Sequence, residues 1–151
     1  KEIQQKVNNY LGLDVPYTGE TKVLHYLEVL RDVVGFDNLK AKVTNSLKGR
    51  KIAAYYGCLL LRPGQVMSFD DVERPVILED FIKALGAEPV IYDMRNECCA
   101  GYMAVTDKSS CQQMVGEIQG SAANAGNDKL PVSYFTEVLA EALGLNEGGA
   151  D

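Results

Sequence analysis

The fold that the sequence predicts is α/β, a mostly parallel sheet with flanking helices in a single domain, and three observations predict it. Short apolar runs bounded by turn residues recur at 51–56, 88–92 and 130–134, brief enough to be buried strands. Between them lie stretches whose apolar residues recur at helical spacing. Glycines stand where those helices should stop, at Gly12, Gly35, Gly86 and Gly144.

Taken in order, residues 7–13 are expected to be the tail of a helix that ends at Gly12, followed by a loop around Pro16 and Gly19. Over 21–34 the residues Val23, Leu27, Leu30 and Val34 share one helical face, with Gly35 as its cap. A short helix over 38–47 places Leu39 and Val43 four apart. The run 51–56 then reads as a strand between Gly49 and Gly57, so Cys58 lies just past a strand's C-terminal end. That edge is where open α/β sheets bind ligands. Residues 59–71 carry Pro63 and Gly64 and form a long irregular loop of the kind that usually has a functional reason.

Pro75 opens a helix with Leu78, Phe81, Ile82 and Leu85 on one face, closed by Gly86. The strand 88–92 follows, and Cys98 and Cys99 again come shortly after its C-terminal end, which puts both cysteine sites on one rim. Met114, Val115, Ile118 and Ala122 mark a helix to about residue 125. The third run, 130–134, precedes a final helix carrying Phe135, Val138, Leu139, Ala142 and Leu143. Residues 52–56, 90–92 and 132–134 are thus expected to be neighbouring parallel strands. The tail 146–151 is expected to be disordered.

The chain has 151 residues, enough for one buried core. Its net charge of -6, with no basic run or aromatic-basic stripe, argues against nucleic acid as a partner. No apolar run approaches the roughly 20 residues that span a bilayer, and the N-terminus lacks a signal-peptide layout. A cytoplasmic location is expected. Position 1 is Lys rather than Met, from which we expect that an upstream part has been removed.

Four cysteines without a secretion signal argue for metal or redox chemistry over a disulfide framework. Cys98 and Cys99 are adjacent, and a disulfide between neighbours closes a strained ring. The pair reads as two thiolates aimed at one centre, against the plainer alternative of two small buried hydrophobes. Cys111 stands at a helix start, where amide dipoles favour a thiolate. Soft sulfur donors so arranged suit an iron–sulfur cluster or structural zinc. A standard zinc site would show two short C-x2-C hooks, and this spacing does not.

The sequence resembles the cysteine-rich CCG domain found twice in the B subunit of heterodisulfide reductase and in related electron-transfer subunits. The resemblance rests on Tyr55-Tyr56-Gly57-Cys58-Leu59-Leu60-Leu61-Arg62-Pro63, Leu85-Gly86-Ala87-Glu88, Glu97-Cys98-Cys99-Ala100-Gly101 and Leu130-Pro131-Val132-Ser133-Tyr134-Phe135-Thr136. Val23-Leu24-His25-Tyr26-Leu27-Glu28-Val29-Leu30 resembles the segment joining the two repeats, which implies the second, C-terminal repeat. Residues 1–20 are then a lead-in from an N-terminal repeat, and 21–145 the domain. The resemblance implies a noncubane [4Fe–4S] cluster held by Cys58, Cys98, Cys99 and Cys111, absent or incomplete in a chain of this kind handled without its neighbours.

Two departures stand out. Ala100 occupies the place of the family's glycine, and the first cysteine of its C-x-x-C is missing. A segment of roughly thirty residues, the length of a crossover with its helix, is expected to be missing between Ser110 and Cys111, with a break in the chain there. The resemblance also implies an oxidoreductase subunit, inactive as an isolated piece, that in methanogenesis reduces the heterodisulfide of coenzyme M and coenzyme B or a related disulfide. Its implied partners are the N-terminal repeat, a ferredoxin-like iron–sulfur subunit and a flavin subunit. The competing reading is a non-catalytic docking module stabilised by zinc or a cluster.

No catalytic residue is assigned. His25, the single histidine, reads as a packed or capped structural residue. Arg62 could meet an anionic substrate or form a surface salt bridge. Asp70, Asp71 and Glu73 read as a solvated helix N-terminus. No G-x-G-x-x-G follows a strand, so a dinucleotide site is not indicated.

Overall fold

The computed structural model describes residues 1–126 and 131–145. The tail 146–151 and Leu130 lie outside the described residues. The described fold is mixed and mostly helical, with seven α-helices around a two-stranded parallel sheet. Helix α1 (Glu2–Leu11) ends at Gly12, whose φ of 56° is the left-handed cap expected there.

Helix α2 (Tyr26–Glu28) continues as a π-helical turn, Val29–Val34, up to Gly35. This corrects the expected helix over 21–34. The His25 side chain accepts the Leu27 N–H, and the Glu28 carboxylate accepts the His25 N–H at 2.8 Å. This reciprocal cap starts the helix at residue 26 and leaves Val23 90% exposed. The His25 ring also stacks edge-on to Phe69, so the histidine is structural, as expected.

Helix α3 (Phe36–Lys42) is followed by β1 (Lys51–Ala53), α4 (Gly64–Met67), α5 (Ile77–Ala84) and β2 (Glu88–Val90). The strands pair in parallel, with Lys51 opposite Glu88, Ile52 opposite Pro89 and Ala53 opposite Val90. Both are shorter than their apolar runs. Pro89 has no N–H to give, and beyond Ala53 the Tyr56 N–H donates to the Arg95 carbonyl in the loop after β2.

The third expected strand is not formed. Residues 131–134 pair with no strand, and Val132 and Tyr134 are each 78% exposed. The Tyr134 N–H is held instead by the Glu137 carboxylate at 2.7 Å, as part of the cap of α7 (Phe135–Ala142). With no strand beside it, β1 borders an apolar cavity of about 750 Å³ reaching from Phe135 and Val132 to Ile118 and Cys99.

The main core lies on one side of the sheet. Phe81 of α5 is 1% exposed, and its ring meets Phe36 and Phe135 with centroids 6.5 and 5.9 Å away. Leu27, Leu39, Leu61 and Leu85 close around it. On the other side α6 (Lys108–Gly126) buries Ile118 and Ala122 against Tyr92, with Cys99 packed at the edge. Gly86 links α5 to β2 at φ 88°, and a Cβ there would come within 2.5 Å of Ser46 Oγ. Only glycine fits that turn.

Candidate functional site

Because β1 and β2 are parallel, the chain leaves both at the same rim, and each exit carries cysteines. After β1, Gly57 takes φ 66° and the chain makes a turn closed by Leu61 and Arg62 N–H groups donating to the Cys58 carbonyl. Leu61, fully buried, anchors that turn in the core. After β2, residues 95–97 lead into Cys98 and Cys99, and Ala100 follows at φ 56°. At this positive φ an L side chain is strained, so the glycine that the resemblance implies at position 100 would suit the backbone better than Ala100 does.

The two loops are stitched together. Besides the bond from Tyr56 to Arg95, the Tyr55 hydroxyl donates to the Glu97 carbonyl at 2.9 Å. Arg62 Nη1 donates to the Asn96 carbonyl at 3.0 Å while its Nη2 pairs with Glu73. Arg62 therefore serves as a loop tie and salt bridge, and no free guanidinium faces the rim from this position. The Asn96 amide in turn donates to the Val72 carbonyl at 2.9 Å. Asp70 accepts the Val76 and Ile77 N–H groups at the start of α5, the helix N-terminus role expected of it, whereas Asp71 accepts the Glu73 and Arg74 N–H groups in the preceding turn and Glu73 pairs with Arg62.

The Cys98 thiol lies 3.3 Å from the Tyr102 hydroxyl and 3.3 Å from the Ala100 N–H. Its pKa is lowered, first by the Tyr102 hydroxyl, then by that N–H, with a smaller contribution from Cys58. Each of these donates to a thiolate and so favours it. Tyr102 is itself pushed up to about 12 by the Cys98 and Cys58 sulfurs. Cys99 faces the Tyr55 hydroxyl; burial, then this contact, raises Tyr55. Cys58 and Cys98 thus meet at Tyr102, while Cys99 faces Tyr55. Tyr102 went unnoticed in the sequence, although its place four residues after Cys98 is a short enough spacing to have flagged it.

Cys111 is not brought to them by any described contact. It sits in the first turn of α6, which runs unbroken through Ser110 and Cys111, so the expected chain break there is not seen. The Cys111 N–H donates to the Asp107 carbonyl at 3.4 Å. The helix start is capped by the Asp107 carboxylate, which accepts from the Ser109 and Ser110 hydroxyls and the Ser110 N–H. All four cysteines are free thiols. Among the described residues no three His, Cys, Asp or Glu side chains are grouped to hold a metal ion. The donors fit thiolate ligation in kind, but the set is not assembled.

A buried group that no sequence pattern singled out lies beneath this rim. Glu79 of α5 is 2% exposed, accepts a hydrogen bond from the Tyr56 hydroxyl, and faces Arg95 Nε at 3.4 Å. Its position three residues before Ile82 places it beside the apolar face of α5, the one signal that could have revealed it.

No family model matches the chain. It is 32% identical over 123 residues to the 8-methylmenaquinol:fumarate reductase membrane anchor subunit of Wolinella succinogenes, covering 81% of this chain and 43% of that protein. It is 34% identical over 120 residues to a protein of Archaeoglobus profundus described as like the B subunit of heterodisulfide reductase, covering 77% and 40%. It is 29% identical over 164 positions to the B subunit of the ferredoxin/F420H2-dependent CoB-CoM heterodisulfide reductase of Methanosarcina acetivorans, covering 89% and 54%.

The chain is a distant homologue of the heterodisulfide reductase B subunit, within the CCG-domain proteins. It spans about half the length of the curated relatives it matches. In the Methanosarcina alignment 89% of 151 residues is about 134, so about thirty of the 164 positions face gaps in this chain. The Wolinella alignment has almost none. By their names, the Wolinella and Methanosarcina relatives are subunits of redox enzymes. No helix among the described residues is long and apolar enough to cross a membrane.

Proposed function

We propose that this chain is the cysteine-rich half of an iron–sulfur subunit in an oxidoreductase complex, with Cys58, Cys98 and Cys99 as ligands on the rim and Cys111 as a further ligand. The observation that carries the reading is the meeting of two cysteine loops at parallel strand ends, where Tyr102 and the Ala100 N–H favour the Cys98 thiolate. A noncubane [4Fe–4S] cluster, when bound, supplies single-electron steps to a sulfur substrate. The chain's own residues fix the loops, keep Cys99 against an apolar wall and place a phenol proton beside Cys98.

The proposed substrate is a disulfide, either the coenzyme M–coenzyme B heterodisulfide or a related one, supported by the names of the Methanosarcina and Archaeoglobus relatives. The N-terminal repeat, a ferredoxin-like subunit and a flavin subunit are the proposed partners, and the cytoplasm the proposed location. The segment expected near 110–111, with its additional cysteine, belongs to the same proposal.

The separate place of Cys111 favours a second reading, a non-catalytic docking module stabilised by zinc or a cluster. Anaerobic purification of the full-length protein followed by iron, acid-labile sulfide and zinc analysis separates the two. Iron and sulfide in like amounts, lost in Cys58→Ser and Cys98→Ser, are expected. Zinc with no sulfide sinks the electron-transfer reading.

A further inference from the structure

Among the described residues only Glu79 and Asn96 are buried polar or charged side chains. Both grip the loops that carry the cysteines. Asn96 lies within the second loop and ties it to Val72. Glu79 belongs to neither loop; it rises from α5 and touches both.

One carboxylate oxygen accepts from Tyr56, two residues before Cys58; the other faces Arg95, three residues before Cys98. The Tyr56 hydroxyl also accepts the Leu78 N–H at 2.9 Å, which locks the phenol to α5. Arg95 Nη1 donates to the Tyr92 carbonyl at 3.1 Å, which orients the guanidinium from its own loop. A carboxylate buried in the core would be costly without such partners. The Tyr56 hydroxyl supplies a hydrogen bond from one loop, and Arg95 faces the other oxygen from the second loop as an ion pair at 3.4 Å without a hydrogen bond.

We propose that Glu79 is a positioning residue that sets the separation of the Cys58 and Cys98 thiols by holding the root of each loop from α5. It touches neither sulfur. The inference rests on the reading of Cys58 and Cys98 as partners in one site, but it concerns their geometry and holds whether or not a metal is bound.

The test uses the metal-free full-length protein with Cys99→Ser and Cys111→Ser, equilibrated in glutathione redox buffers. Closing the Cys58–Cys98 disulfide removes two electrons and two protons from the thiols, and one glutathione disulfide takes them to become two glutathione thiols. The effective concentration of the pair follows from that equilibrium. Glu79→Gln is expected to lower it roughly tenfold or more, since intramolecular reactions lose effective molarity steeply when the groups shift.

Ile82→Val, which loosens the core face of the same helix while leaving the Glu79 carboxylate and its partners in place, should leave it unchanged. An unchanged value in Glu79→Gln, or an equal fall in Ile82→Val, overturns the proposal. If Glu79→Gln does not fold by far-ultraviolet circular dichroism, Tyr56→Phe decides in its place and in the same sense. Iron and sulfide loading of the protein with all four cysteines runs alongside. Absence of iron with the Glu79 effect intact removes the cluster and keeps the positioning role; iron bound with no Glu79 effect does the reverse.

Discussion

Over residues 54–62 and 92–100 the chain forms no α-helix or strand, yet buried side chains and cross-loop hydrogen bonds fix its course. From Lys108 to Gly126 the opposite holds: backbone bonds are satisfied within α6, and only Ile118, Ala122 and Gly126 are buried. The first region holds three cysteines, Cys58 and Cys98 at Tyr102 and Cys99 at Tyr55, and the second carries Cys111 in a turn with no described link to them. Irregular chain can aim side chains at one point only when something buried locks it. A regular helix is self-sufficient and can stand anywhere its apolar stripe allows.

The contrast breaks first at Glu79. Glu79→Ala leaves Arg95 and the Tyr56 hydroxyl without their partner and should cost about 3–5 kcal/mol, read as a lower urea midpoint at unchanged slope. Leu61→Ala removes the anchor of the Cys58 turn and should cost about 2–5 kcal/mol, with the larger change in hydrogen exchange confined to 57–62. A smaller effect of opposite sign is expected at the strained position: Ala100→Gly should stabilise by about 1 kcal/mol or less, because relief of the positive φ exceeds the added freedom of the unfolded chain. A melting temperature that falls instead would show that the Ala100 methyl matters more than its backbone.

The smallest effect belongs to α6. Asp107 is held down to about 2 by the Ser110 and Ser109 hydroxyls and by backbone N–H donors. Its folded value lies below the ordinary aspartate value of 3.8, so its contribution is full above that value and is lost as the pH falls toward about 2. Circular dichroism should show helix loss in that interval, and Asp107→Asn should flatten it. An unaltered acid profile in the variant would show that the α6 cap does not depend on charge.

The sequence made the rim legible because two short apolar runs, each followed by cysteines, obey the strand-edge rule. Gly57 and Gly86 marked the turns correctly. The third run misled because 131–134 has strand composition, while its amide at Tyr134 serves the α7 cap. The start of α2 misled in the same way, since helical spacing in Val23 and Leu27 says nothing about a cap at His25. Glu79 and Arg95 were invisible for a different reason: a charged residue in a helix looks solvated until the fold shows what covers it. The chain position of Cys111 was plain, but its place relative to the rim depends on packing that no local pattern records.

The placing of the phenols has an optical consequence. The chain has eight tyrosines and no tryptophan, so its near-ultraviolet signal is dominated by tyrosine. Four of these, Tyr55, Tyr56, Tyr92 and Tyr102, lie at or beneath the rim, and all four are shifted upward, Tyr92 by burial to about 12. The ionisation of the buried Tyr56 and Tyr92 in alkali should wait until the rim opens, and absorbance at the phenolate band would then follow that opening without any added dye. Tyr56, hydrogen-bonded to a buried carboxylate, should be dim in emission while the rim is shut and brighten when it comes apart.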